Sequence, residues 1–161
     1  MNDFIKSIVY IETSIVSYLT AKQSRDVIAV AHQQLTLEWW EKVCPQVECV
    51  ISAFVTQEAS RGDPKAAQKR LEVLSQLRVL ELNDEISTLA SKYFTALQIP
   101  ESSKIDASHL AVAVWHKTDY MLTWNCRHIA NGRVRKMIED INLELGLKTP
   151  VICTPEELME V

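Results

Sequence analysis

Residues 8–14 read Ile8-Val9-Tyr10-Ile11-Glu12-Thr13-Ser14. A short apolar run rich in β-branched residues predicts a buried strand, and here it stops on a carboxylate followed by two hydroxyls. Similar runs recur at Val47–Ile51, Val79–Leu82, Tyr120–Thr123 and Val151–Cys153. Helical patterns fill the intervals. Asn83 is placed to cap a helix carrying Ile86, Leu89, Ala90, Tyr93, Phe94 and Leu97 on one face. Asp63-Pro64 reads as an N-cap with proline at the first helical position, followed by Ala67, Leu71, Leu74 and Leu77 on one side. A further helix is expected over residues 24–42. Another, after Pro100, is small and apolar on most sides through Val114. The last spans Gly132 to Leu145, with Gly146 suited to its C-cap. Alternating strands and helices at this spacing predict an α/β fold: a mainly parallel sheet of about five strands, covered on both faces.

Such sheets bind ligands beyond the carboxyl ends of their strands. Glu12 falls at the end of the first strand and Asn125 just past the fourth, in Thr123-Trp124-Asn125. Asp119 precedes that fourth strand, so it belongs to the opposite edge and is set aside. Glu58 shares a helical face with Phe54 and Val55, which should point inward, and a carboxylate there needs a partner or a metal. Asp106 opens the small-residue helix, where a helix N-terminus favours negative charge. Each position also has a plain structural reading. Ser103-x-x-Asp106 is a capping box, Asn125 can cap residues 126–130, Glu12 can be a solvated turn residue, and Glu58 a helix-surface residue. The joint pattern, with all four tied to one edge of the sheet, favours a shared divalent ion.

Bulk properties bound the alternatives. The chain of 161 residues has the size of one domain, and 47% hydrophobic with 24% charged residues is globular composition. Met1 to Ser7 holds Asp3 and Lys6 without a long apolar run, so no signal peptide is expected. No stretch is long and apolar enough to span a membrane, which makes the cytoplasm the expected compartment. The four cysteines, Cys44, Cys49, Cys126 and Cys153, form no C-x-x-C pair and read as reduced thiols. They do not combine with the four histidines at zinc-finger spacing. A net charge of −4 argues against non-specific coating of nucleic acid. With only Gly62, Gly132 and Gly146, neither G-x-G-x-x-G nor a P-loop can be built.

Four segments together resemble the PIN-domain family, most closely its VapC-type toxins. They are Val9-Tyr10-Ile11-Glu12-Thr13-Ser14, Glu58 on the helix after strand two, Asp106-Ala107-Ser108-His109-Leu110-Ala111, and Leu122-Thr123-Trp124-Asn125. The closing Val151–Leu158 is similar to the family's last strand and short acidic helix. The resemblance spans nearly the whole chain and implies a three-layer α/β/α PIN-like fold over residues 1–161. It implies an endoribonuclease that hydrolyses RNA phosphodiesters with Mg²⁺ or Mn²⁺ held by Glu12, Glu58, Asp106 and Asn125. Thr13 and Ser14 would orient Glu12 or a bound water. It also implies a type II toxin restrained by a small antitoxin protein, and a homodimer. Two positions depart from the family's usual aspartates, Glu12 at the first and Asn125 at the fourth, leaving three negative charges in place of four. A catalytically degenerate PIN domain that binds protein or RNA is therefore the alternative.

Ser14, Arg25, Arg127 and His128 are candidates for substrate contact. Arg127 and His128 follow Asn125 closely enough to meet a phosphate, although a solvated turn explains them equally well. Arg25, near Lys22, would form a rim. Trp39-Trp40 reads as core or subunit interface before base stacking, and Lys65, Lys69 and Arg70 as a solvated face. His109 and His116, seven apart, read as packing.

Overall fold

The computed structural model describes residues 6–159. Its elements alternate in chain order: β1 (Ile8–Ile11), α1 (Thr13–Thr20), α2 (Val27–Lys42), β2 (Glu48–Ile51), α3 (Ala53–Ala59), α4 (Pro64–Leu74), β3 (Arg78–Val79), α5 (Asp84–Leu97), α6 (Lys104–Trp115), β4 (Tyr120–Leu122), α7 (Gly132–Leu145) and β5 (Val151–Cys153). The strands form one all-parallel sheet in the order β3-β2-β1-β4-β5, and helices flank it in a three-layer α/β/α arrangement. β1 sits centrally, with Tyr10 in register with Val50 on one side and Met121 on the other. The chain builds outward from β1 through β2 to β3, then crosses back to place β4 on the other side. In open parallel sheets such a reversal, here between β1 and β4, is where ligands bind, beyond the carboxyl ends of the strands.

Local chemistry explains the boundaries. Asp63 accepts from Ala66 N and Asn83 from Ile86 N, each side chain capping its helix as expected. Gly146 adopts φ 69° and closes α7, a left-handed position that suits glycine. α2 starts later than expected because Asp26, and not Ser24, caps it by accepting from Ala29 N. The third strand is Arg78–Val79 and not Val79–Leu82. It is an exposed edge strand, so burial does not fix its register, although Leu80 N still donates to Ile51 O.

The core is continuous around the central strands. Val9, Tyr10, Ile11, Val50, Ile51, Met121 and Leu122 are buried, as is nearly every residue of α6 from Asp106 to Val114. Small side chains let α6 lie close beneath the layer formed with α5, whose Ile86, Leu89, Tyr93 and Leu97 point inward. The Tyr93 hydroxyl donates to Asn142 Oδ1, tying α5 to α7, and burial raises its pKa. Trp39 is fully buried and Trp40 partly so, which assigns the pair to packing. Among the described residues, no helix is long and apolar enough to cross a membrane.

Candidate metal centre

Glu12 follows β1 directly and is the N-cap of α1. Its Oε2 accepts from Ser14 N at 3.1 Å. Its Oε1 accepts two hydroxyls, Ser14 Oγ at 2.5 Å and Thr123 Oγ1 at 2.6 Å. The carboxylate is only 5% exposed, and three donors and the start of a helix stand in place of water. The same hydroxyls pin the segment after β4. Trp124 N donates to Ser14 Oγ and Asn125 N to Thr123 Oγ1, at 2.8 and 2.9 Å. Trp124 itself is anchored to α2, its indole N–H donating to Thr36 Oγ1 and its ring stacked on His32 with centroids 3.9 Å apart.

Glu58 leaves α3 toward the same place. Its Oε1 accepts from Thr13 Oγ1 at 2.7 Å and meets His109 Nε2 at 2.5 Å. Burial pushes this carboxyl upward. The hydrogen bond and charge of His109, helped by Thr13 and Arg61, outweigh it and hold the group below the ordinary glutamate range. His109 is fully buried, and its Nδ1 lies 2.7 Å from the Tyr10 hydroxyl, which lies 2.8 Å from Ser52 Oγ. Thus Ser52, Tyr10, His109, Glu58 and Thr13 form one buried chain from β2 through β1 and α6 to α3 and α1. Burial raises the Tyr10 pKa strongly and keeps the phenol neutral.

Asp106 is buried at the start of α6, 8% exposed. The capping box does not form, since Ser103 makes no side-chain cap. Instead Asp106 Oδ2 pairs with His128 Nδ1 at 3.0 Å. Asn125 does cap the turn after β4, its Oδ1 accepting from His128 N at 3.0 Å. Residues 126–129 form that turn and not a helix.

The structure therefore sorts the expected residues. The ligand atoms of Glu12, Glu58 and His109 lie within 4.8 Å of one another, and Asp106 is outside that group. Among the described residues, Glu58 Oε2 and Asp106 Oδ1 accept no hydrogen bond, so each carboxylate is oriented through one oxygen and keeps the other uncommitted. Carboxylate oxygens left free in this way, at Glu58 and Asp106, are the hard donors that Mg²⁺ or Mn²⁺ takes, whereas both oxygens of Glu12 and the amide oxygen of Asn125 are engaged in hydrogen bonds. Ser14 spends its hydroxyl on Glu12 and on Trp124 N. Thr13 serves Glu58, not Glu12 as expected, because its side chain projects toward α3. Arg25 and Arg127 are exposed. Arg70 is not merely solvated, since it donates to the carbonyls of Ala59 and Arg61 at the end of α3. His116 meets Glu81 O, away from His109.

Sequence reasoning missed His109, Tyr10, Ser52 and Thr123 as parts of this centre. One signal was present: a histidine inside an otherwise apolar helix, three residues after Asp106, must find a buried partner.

A PIN-domain family model matches residues 9–131. No protein of curated function matches the chain by sequence. Among solved structures, the fold is similar to VapBC-1 from nontypeable Haemophilus influenzae, at 16% identity and TM-score 0.57, covering 92% of this chain and 98% of that one. VapBC2 from Rickettsia felis, bound to a DNA fragment from its promoter, is similar at 15% identity and TM-score 0.57, covering 91% and 98%. Mycobacterium tuberculosis VapC20, a toxin that cleaves the sarcin–ricin loop, is similar at 18% identity and TM-score 0.55, covering 70% and 86%.

Proposed function

The chain belongs to the PIN-domain family, and on that premise we propose that it is a metal-dependent endoribonuclease hydrolysing RNA phosphodiester bonds, the toxin of a cytoplasmic type II toxin–antitoxin pair. One observation carries the reading. Glu12, just after β1, and Glu58, on the helix that follows β2, converge within 4.8 Å of each other at the carboxyl edge of the sheet, each oriented by hydroxyl donors.

Glu12, Glu58, Asp106 and Asn125 would hold Mg²⁺ or Mn²⁺, which when bound supplies Lewis acidity and an activated water for phosphodiester hydrolysis. The remaining residues prepare that donor set. Ser14 and Thr123 fix the rotamer of Glu12. Thr13 and His109 fix Glu58, and His128 fixes Asp106. Such pre-orientation lowers the cost of gathering three like charges around an ion. Arg127, exposed two residues after Asn125, would meet a substrate phosphate, and Arg25, exposed before α2, would form part of a substrate rim.

The test is incubation of the purified chain with RNA and Mn²⁺ or Mg²⁺, beside Asp106→Asn. Cleavage by the parent and not by the variant supports the reading, and equal cleavage by both removes it. Two observations favour the alternative of a degenerate PIN domain that binds RNA or protein: the Asn125 amide oxygen is already engaged by His128 N, and Asp106 stands outside the 4.8 Å group. That alternative expects RNA retention without cleavage by parent and variant alike. The similarity to VapBC structures supports a small antitoxin as partner. Co-expression with the product of a short neighbouring reading frame, followed by light scattering, tests that complex and the proposed homodimer.

A further inference from the structure

At the other edge of the sheet, far in topology from the carboxylates, two cysteines meet. Cys44 begins the short turn Cys44–Gln46 before β2, and Cys49 is the second residue of β2. Their sulfurs lie 3.2 Å apart, and both thiols are free. The Cys49 side belongs to the core, with 8% exposure, whereas Cys44 is only partly covered. The pair opens onto a surface cleft of about 360 Å³ shared with Lys6, Glu48 and Arg78. Lys6 Nζ donates to Pro45 O, next to Cys44, so a cation stands near the partly covered thiol.

We infer that Cys44 and Cys49 form an oxidisable dithiol, a modification site in which a hydroperoxide closes an intramolecular disulfide. The roles are unequal. The hydrogen-bond contact with the Cys49 sulfur, with the help of Lys6, holds the Cys44 thiol below its usual range despite the opposing effect of burial. The Cys49 thiol is pushed up by the same contact and by burial. Cys44 is thus the attacking thiolate and Cys49 the resolving thiol. The Cys44 thiolate attacks the peroxide oxygen, the O–O bond breaks, and the other oxygen leaves as water after taking a proton. The resulting sulfenic acid is attacked by Cys49 sulfur, an S–S bond forms, and hydroxide leaves with the Cys49 proton as a second water. Two thiols lose two electrons, and one peroxide gains them. Closing the bond brings the sulfurs from 3.2 Å to about 2.05 Å.

The other cysteines mark the contrast. Cys126 is exposed without a neighbouring thiol, and Cys153 is buried, its thiol pushed up to about 12 by burial and Glu157 against the opposing Arg135. The test uses the full chain carrying Cys126→Ser, so that exposed thiols do not join copies. After treatment with hydrogen peroxide, the tryptic fragment 43–61, which holds both thiols, is expected to lose ~2 Da and to resist alkylation until reduced. Cleavage after Glu48 should leave its halves joined. In Cys49→Ser, Cys44 should stop as a sulfenic acid that dimedone traps. The inference is overturned if Cys44 proceeds to sulfinic acid while Cys49 stays alkylatable. It is equally overturned if both thiols remain alkylatable under conditions that fully oxidise Cys126 in the parent chain.

Discussion

His109 Nε2 stands 2.5 Å from Glu58 Oε1, with no solvent access to the imidazole. The contact joins α6 to α3 and leaves Glu58 Oε2 as the oxygen open to a ligand. Replacing His109 by Leu removes the donor to Glu58 and leaves the Tyr10 hydroxyl with Ser52 as its one partner. The expected cost is about 1–3 kcal/mol in chemical denaturation, with weaker Mn²⁺ binding by calorimetry. His109→Gln, which restores an N–H donor, should recover part of both; a Gln variant no better than Leu would show that His109 only fills space.

Glu12 does what an aspartate at this position would not. Its longer side chain reaches Ser14 N with one oxygen and Thr123 Oγ1 with the other. Glu12→Asp is expected to lose the Thr123 contact and leave a fully buried hydroxyl without an acceptor, costing about 1–2 kcal/mol. A double-mutant cycle with Thr123→Val checks this, because the penalty of Glu12→Asp should shrink once the hydroxyl is gone.

The depressed Glu58 carboxyl sets a pH dependence. Because the folded pKa lies below the unfolded value near 4.5, the unfolded chain binds the proton more readily. The stability is present above that value and is lost as pH falls through the lower folded pKa. Thr13→Val should flatten this acid limb in denaturant titrations run at successive pH values. An unchanged slope would remove Thr13 from the account.

Asn125 offers a gain of charge at no structural loss. An aspartate there can still accept from His128 N. Asn125→Asp should fold as the parent does and bind Mn²⁺ more tightly, by about tenfold or less. Asn125→Ala should destabilise the turn by ~1 kcal/mol. Calorimetry and thermal unfolding separate the two effects.

Chelation gives the broadest check on the carboxylates. EDTA should abolish RNA cleavage and added Mn²⁺ restore it, while Glu12→Gln or Glu58→Gln should lose ~100-fold or more without losing the fold.

Much of this was legible along the chain, for identifiable reasons. The runs beginning at Ile8, Val47 and Tyr120 are strands buried on both faces, so composition alone marks them. The stripe from Ile86 to Leu97 faces one way, so its period marks the helix. Arg78–Val79 escaped because an exposed edge strand leaves no burial pattern. The capping box at Ser103 was a false local signal: Asp106 turns instead to His128, 22 residues away, and no local spacing encodes that pair. The Tyr10–His109 contact, spanning 99 residues, was hidden for the same reason.

The Glu12–Thr123 hydrogen bond joins residues 111 positions apart. β1 therefore remains an unfinished edge until β4 has been made and has closed a loop of that length, and loop closure of this kind slows folding. A nascent chain that has not yet reached residue 123 presents Glu12 without Thr123, and one that stops short of residue 128 lacks the His128 partner of Asp106. The hydrogen bonds that orient these carboxylates thus come together late in synthesis, with the arrival of the segment after β4.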